Sequence, residues 1–399
     1  MNVWSPVWYV LCMAALLLVV RLPVFSHLDV GAARGSNRAG SIDGLRGFLA
    51  LGVVFHHAAV YRQFLVTGVW AVPPSSFYTM LGQVGVSLFF MFTGYLFWGK
   101  LLADKGRPAW RALYVGRIFR IGPVYFLTIG AMLAVIAAAS GGVAHEPAGR
   151  LVREVLHWCL LGFYGTGPDI NAYRQTFIVL AGVLWTLSYE WRFYLALLPL
   201  SLFARSPRWG LIFVLGGLVM CLIAAMREQG AWWVFWADFF VGMCCASVPL
   251  TRLKRLGGSD AVLSAMFVAS LAAVLLGANT AYAVGPVLLM APAFLAVAAG
   301  ASGFGLLSSR AALRLGESSF GIYLLQGIFL FVAFAVPAAR RYALQTPLHY
   351  WSVVLVAAMA LVGASALAHI AIERPGIALG KRVAAWLADL STLRALPRS

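Results

Sequence analysis

The chain has 399 residues, of which 62% are hydrophobic and only 11% are charged, and its formal net charge is +17. A water-soluble protein of this length needs more charge to cover its surface, so the composition excludes a soluble enzyme and indicates a polytopic membrane protein. The basic residues stand in short segments between apolar runs, and no segment is long and polar enough to form a nucleic-acid-binding domain.

Apolar runs of about 20 residues predict the membrane-spanning helices. In chain order these runs are 7–25, 46–65, 80–99, 121–139, 177–203, 209–226, 231–250, 260–277, 284–301, 318–337 and 350–372. We therefore predict an all-α transmembrane bundle of about ten or eleven spans in the lipid bilayer, without a soluble domain. A shorter run, 154–165, is expected to be re-entrant or interfacial.

Three segments follow from these runs. Residues 1–40 form an extra amino-terminal helix and a cytoplasmic linker, residues 41–375 the main transmembrane domain, and residues 376–399 a cytoplasmic tail. A cleaved signal peptide is the alternative for 7–25, although the basic residues that precede such signals are missing.

The positions of the basic residues predict the topology, because cytoplasmic loops are enriched in Lys and Arg. This rule places 21–46 and the loop Lys100–Arg120 in the cytoplasm, together with Arg252–Arg255 and the tail. Arg340 and Arg341 run against the assignment. The longest outward loop, 140–176, is then the expected access route for a polar substrate.

Polar residues interrupt the second apolar run, in the segment SIDGLRGFLALGVVFHH from Ser41 to His57. Arg46 and His57 are eleven residues apart and share a helix face, and Asp43 lies near that face. His57 is roughly 16 Å beyond Arg46, near the middle of the hydrocarbon core. Ionisable groups at such depth usually face a bundle interior, so we predict a functional site. A histidine bonded to a nearby carbonyl is the simpler alternative for His57, and His56 is expected to pack elsewhere.

Glu190 lies in the segment LWTLSYEWRFYLALLP, at about the same depth as His57. The two side chains can therefore meet, and a carboxylate that accepts the proton of an imidazole nitrogen fixes the tautomer and raises the basicity of the ring. The alternative is a structural ion pair between Glu190 and Arg192 or another arginine.

Arg117 and Arg120 occupy neighbouring positions on one helix face in YVGRIFRIGPVY. Their guanidinium groups suit the phosphates of a cytosolic ligand, and ordinary membrane anchoring is the alternative. Gly82, Gly85 and Gly94 predict close helix packing. The five cysteines lack metal-ligand spacing, so no metal site is expected.

Several of these segments, in their order along the chain, resemble the membrane-bound acyltransferase-3 family. The Arg46–His57 spacing matches the family's Arg–ten residues–His pattern, and GQVGVSLFFMFTGYLF is similar to its Gly-Val-x-Phe-Phe-x-x-Ser-Gly-Phe block. The remaining similar segments are RIFRIGPVY, LWTLSYEWRFYLALLP, SSFGIYLLQ and IERP, the last at Ile372–Pro375.

The resemblance implies a multi-pass O-acyltransferase of the bacterial inner membrane. It would move an acyl group from acyl-CoA, usually acetyl-CoA, to a hydroxyl of a saccharide acceptor. It implicates His57 as the catalytic histidine, with Arg46, Arg117, Arg120 and Glu190 in support. Two departures stand out, because Gln326 replaces the usual late histidine and Thr93-Gly94-Tyr95 replaces Ser-Gly-Phe.

Within this expectation, Arg117 and Arg120 bind the CoA phosphates, His57 acts as the base, and Asp43 positions Arg46. Some relatives carry a fused extracytoplasmic domain, so a separate extracytoplasmic partner is left open here. The alternative function is a transporter or flippase of a lipid-linked saccharide or small anion, since buried His, Glu and Arg residues also suit a carrier.

Overall fold

The computed structural model describes residues 2–29, 37–228, 230–250 and 258–395, except for the side chains of 37–39 and 390–395. This part of the chain forms 15 α-helices and no β-strand, which confirms the all-α prediction. The helices are α1 (Pro6–Val20), α2 (Asn37–Thr67), α3 (Ser76–Ala103), α4 (Trp110–Ala139), α5 (Ala148–Trp158), α6 (Trp185–Leu200), α7 (Pro207–Glu228), α8 (Ala231–Ser247), α9 (Asp260–Gly277), α10 (Val284–Ala298), α11 (Arg310–Glu317), α12 (Ser319–Ala335), α13 (Pro337–Ala343), α14 (Pro347–Ala368) and α15 (Arg374–Ala395).

Each predicted span overlaps a helix of the structure, but the helices differ in length. Six described helices are long and apolar enough to cross a membrane, and α11 with α12, bent by 70°, would make a seventh span. The helices α1, α6, α8 and α10 have only 15 to 17 residues. The chain is a multi-pass membrane protein, and the number of ten or eleven spans stays a prediction.

Glycines set the close packing of the bundle. A Cβ atom at Gly94 of α3 would stand 2.1 Å from the carbonyl oxygen of Phe239 in α8. One at Gly44 of α2 would stand 1.8 Å from the carbonyl oxygen of Leu307, just before α11. The expected close packing of the α3 glycines is confirmed, and α2 is held equally tightly.

The amino-terminal segment is part of the packed bundle. Trp351 of α14 donates a hydrogen bond from Nε1 to the carbonyl of Val3, at 2.9 Å. Arg314 of α11 forms two hydrogen bonds of 2.7 Å to the carboxylate of Asp29, and these bonds lower the pKa of Asp29. The predicted linker between α1 and α2 begins with a 3-10 turn, Pro23–Leu28, and its residues 30–36 lie outside the described residues, as does the basic cluster Arg252–Arg255.

The last helix continues from α14 through a π-helical turn, His369–Glu373. Gly376 and Gly380 of α15 pack against Phe119 of α4. Most of the segment predicted as a tail is therefore a helix docked on α4, and residues 396–399 lie outside the described residues. The segment predicted as re-entrant or interfacial begins inside α5, which is too short to be a candidate span.

Candidate functional site

A cavity of about 280 Å³ lies inside the bundle between α2, α3, α4, α6 and α12. Four of the six predicted site residues line it: Arg46, Arg117, Arg120 and Glu190. Arg46 stands near the start of α2, the other two arginines near the start of α4, and Glu190 in the middle of α6. Thus the fold brings together polar residues that lie far apart in the sequence.

The three arginines of the cavity differ in their partners. Arg46 forms an ion pair with Asp43 at 3.3 Å, and this is the contact expected if Asp43 positions Arg46. Arg120 pairs with Glu373, whose side chain is completely buried. Arg117 stacks over the ring of Phe97, with its guanidinium carbon 4.9 Å from the ring centre, and forms no salt bridge within the described residues.

The carboxylate of Glu190 accepts a hydrogen bond from the hydroxyl of Tyr194, at 2.8 Å. Tyr194 also lines the cavity and is one helical turn further along α6. On the facing wall, the hydroxyl of Tyr323 in α12 lies 2.9 Å from Oγ1 of Thr186. Two tyrosine hydroxyls therefore join the charged groups in the wall of the cavity.

His57 lies beyond the residues that line the cavity and further along α2 than Arg46. Its Nδ1 atom is 3.0 Å from Oε1 of Gln326 in α12. The expected pairing of His57 with Glu190 is not what the structure has, because each side chain has a different partner. The reason is the packing of α12 against α2, which brings the amide of Gln326 to the imidazole.

His56 faces α3, as expected from its position on the helix. Its Nδ1 atom is 2.9 Å from the carbonyl oxygen of Tyr78, and its ring occupies the space above Gly82. His56 is thus satisfied by a carbonyl. The alternative stated for His57 holds in part, because the backbone of Val53, one turn earlier in α2, also hydrogen-bonds to its ring beside Gln326. The imidazole rings of His56 and His57 are in edge-to-face contact, with their centres 4.9 Å apart.

The first turn of α12 also lines the cavity. Ser319 is 1% exposed, and its hydroxyl has no hydrogen-bond partner in the part of the chain that the structure describes. Free backbone N–H groups and the helix dipole make the N-terminus of a helix favourable for anions. Together with the nearby arginines, this helix end makes the cavity suitable for a negatively charged ligand.

Sequence reasoning left out four residues of this site from its candidates. Tyr194, Glu373 and Gln326 stand within the motifs it quoted, but their contacts depend on helices from other parts of the chain. Tyr323 also stands in such a motif, three residues before Gln326. The replacement of a histidine by Gln326 was the one signal that pointed to a special position.

Across the described ranges, no group of three or more His, Cys, Asp or Glu side chains is arranged to hold a metal ion. In the comparisons with known proteins, the acyltransferase-3 family model, described as an acyltransferase domain, matches residues 40–368, more than half of the chain. No curated protein and no solved structure gives a significant match.

Proposed function

We propose, because the chain belongs to the acyltransferase-3 family, that it transfers an acyl group from acyl-CoA to a hydroxyl of a carbohydrate in the bacterial inner membrane. Family membership makes the protein an acyltransferase, and the donor and acceptor are the proposal. The observation that carries it is the cavity, which is lined by three arginines and Glu190 and connected to the His57–Gln326 pair through Tyr323, whose carbonyl accepts from Gln326.

The part of the cavity lined by Arg46, Arg117 and Arg120, the arginine end, suits the acyl-CoA donor. Guanidinium groups bind phosphate oxygens in paired hydrogen bonds, and the first turn of α12 adds N–H donors. Arg117 is the best candidate for this contact, because Arg46 and Arg120 already pair with carboxylates. A volume of about 280 Å³ is near the lower end of the usual ligand-pocket range of roughly 300–1,000 Å³, so it suits the pantetheine arm and not the whole CoA.

The chemistry assigned to His57 is general base catalysis. The unprotonated ring nitrogen takes the proton of the acceptor hydroxyl while the hydroxyl oxygen attacks the thioester carbonyl. The carbon–sulfur bond then breaks, the ring proton passes to the leaving thiolate, and the products are an O-acyl ester and free CoA. Arg46, on the same face of α2 as His57, is the cation assigned to the developing oxyanion.

The acceptor is assigned to the opposite side of His57. By the positive-inside rule, the basic loop before α4 supports a cytoplasmic position for the arginine end. His57 is roughly 16 Å further along α2, which suits transfer to a saccharide that enters from the extracytoplasmic side. A separate extracytoplasmic partner that presents the saccharide fits this arrangement, since the outward loop before α6 is the expected access route.

Transfer can be measured with the full chain in lipid nanodiscs, given radiolabelled acetyl-CoA and carbohydrate extracted from bacterial envelopes. We expect release of CoA thiol and label in the carbohydrate that mild base removes, since esters are base-labile and amides are not. His57→Ala should lower the transfer rate by about 10²-fold or more and leave acetyl-CoA binding intact.

His349→Ala is the matched control, because His349 lies in α14 and stacks on Tyr342 outside the cavity. It should keep the wild-type transfer rate. Full activity of His57→Ala would refute the base assignment. Movement of a saccharide across the membrane without CoA release would favour the transporter alternative.

A further inference from the structure

Gln326 is the direct partner of His57, and it is completely buried in α12. It stands at the position where the similar family block usually has a histidine. Its side chain forms hydrogen bonds from Oε1 to the imidazole of His57 and from Nε2 to the backbone carbonyl of Tyr323, the latter at 2.8 Å.

The contact with Tyr323 fixes the orientation of the amide. A backbone carbonyl oxygen accepts hydrogen bonds and never donates one, so the group that faces it must be the NH₂ of Gln326. The opposite orientation would bring two acceptor oxygens together at 2.8 Å inside a buried helix contact. The oxygen of the amide therefore faces His57.

An amide oxygen that faces an imidazole nitrogen requires a proton on that nitrogen. The tautomer of a neutral histidine is set by the hydrogen bond that one of its nitrogens makes. We propose that Gln326 is a positioning residue, which holds His57 with its proton on Nδ1 and leaves the lone pair of Nε2 free to act as the base. This inference rests on the proposed function, in which His57 takes the proton of the acceptor.

A neutral amide suits this position better than the carboxylate that we expected from Glu190. Burying a carboxylate beside the neutral imidazole is costly in an apolar bundle unless the charge is paired. The amide oxygen accepts from Nδ1 both before and after Nε2 takes a proton, so the contact persists through the reaction. Glu190 is meanwhile bonded to Tyr194 and stays in the arginine-lined cavity.

The tautomer can be measured without any substrate. Solid-state NMR of the full chain, labelled with ¹³C,¹⁵N-histidine in lipid bilayers, correlates each ring nitrogen with its bonded carbons. The His57 signals are those that disappear in His57→Gln. We expect the protonated nitrogen of the neutral ring to correlate with Cγ, which identifies Nδ1. A protonated nitrogen that correlates with Cδ2 identifies Nε2 and would overturn the proposal.

Substitutions of Gln326 supply the kinetic test. Gln326→Leu removes the side-chain acceptor and leaves the ring only the backbone of Val53. It should lower kcat by about 10²-fold with little change in the KM for acetyl-CoA. Gln326→His and Gln326→Glu each keep an acceptor and should restore kcat to within about tenfold of the wild type. Equal losses in all three variants, or full activity of Gln326→Leu, would contradict the positioning role.

Gln83→Leu is the matched control, because Gln83 is an amide of α3 whose oxygen accepts from Thr280 and Ala281, away from His57. It should change neither kcat nor the His57 tautomer. The two proposals fail separately. Loss of the proposed function would show as an active His57→Ala, whereas loss of this inference would show as the Nε2 tautomer in the wild-type protein.

Discussion

Arg46, Arg117 and Arg120 carry the same group into the same cavity, and their partners give them different roles. The carboxylate of Asp43 holds Arg46 and that of Glu373 holds Arg120, while Arg117 rests on the ring of Phe97. A guanidinium already paired with a carboxylate is largely neutralised and attracts an anionic ligand less strongly. Arg117 is therefore the residue on which donor binding should depend.

Arg117→Gln and Arg120→Gln should fail in different ways. We expect Arg117→Gln to fold normally and to raise the KM for acetyl-CoA about 10–100-fold, from the loss of a charge-assisted hydrogen bond of about 1.5–3 kcal/mol. Arg120→Gln leaves the buried Glu373 with His369 as its remaining partner, at 3.0 Å, and should lower the free energy of unfolding by up to about 3–5 kcal/mol. Transfer kinetics and thermal unfolding in detergent measure both, and the reverse pattern would contradict this assignment.

Glu190 and Tyr194 should act as one unit, because the hydroxyl of Tyr194 donates to the carboxylate at 2.8 Å. Glu190→Gln and Tyr194→Phe each weaken the same hydrogen bond, and each should lower kcat/KM by about 10–100-fold. The double variant should lose little more than either single variant, since contacting residues are not additive. If the fold-losses of the two single variants multiply in the double variant, the two side chains work independently.

At the scale of helices, the contact between α2 and the segment around α11 sets the position of Arg46. Gly44 and Gly47 of α2 and Gly316 of α11 bring the two backbones together, and a Cβ atom at Gly316 would stand 2.1 Å from the carbonyl oxygen of Asp43. The motif that carries Asp43 and Arg46 is therefore also a packing surface. Displacement of α2 would move both charged residues.

Gly44→Ala should separate α2 from the loop before α11, because its Cβ atom would overlap the carbonyl of Leu307. We expect a loss of about 1–3 kcal/mol in the free energy of unfolding and a parallel loss of transfer activity. Gly363→Ala is the matched control, since no atom lies within 4 Å of the added Cβ in α14. Thermal unfolding of both variants should show a lower Tm for Gly44→Ala alone.

At the scale of the whole molecule, Arg314 fastens the amino-terminal segment to the main bundle. The guanidinium is 4% exposed and bonds to Asp29 and to the carbonyl of Val20. The extra helix predicted from the sequence is thus joined to the family domain by a charged contact. This contact should make part of the stability depend on pH.

Asp29→Asn should lower the free energy of unfolding by about 1 kcal/mol at neutral pH, because about a third of the Asp29 side chain is exposed and solvent screens the pair. The pKa of Asp29 is lowered in the folded protein, so its stabilising effect is present above the ordinary aspartate value and fades as pH falls through the lowered pKa. The difference in Tm between wild type and variant should therefore shrink below about pH 4. A constant difference would contradict the account.

Asp104→Asn serves as the control for this pH test. Asp104 pairs with Lys100 at 3.6 Å, and more than a third of the Lys100 side chain is exposed. An exposed pair of this kind contributes only about 0–1 kcal/mol. The control should have nearly the wild-type Tm both at neutral pH and below about pH 4.

The sequence by itself determined the class of fold, the family and most of the charged site. Apolar length predicts a membrane helix because an apolar environment requires every backbone group to be bonded within the helix. The spacing of Arg46 and His57 on one face follows from helix geometry alone. These are properties of single segments, and they can be seen before any segment is packed against another.

Only the tertiary structure decided which polar groups meet. Residue count predicts a similar depth for Glu190 and His57, but α6 directs Glu190 to Tyr194, and α12 brings Gln326 to His57. The same applies to Arg120, whose partner Glu373 is more than 250 residues away in the chain. Depth in a span follows from residue count, whereas the partner of a side chain depends on the rotation and packing of separate helices, which no single segment encodes.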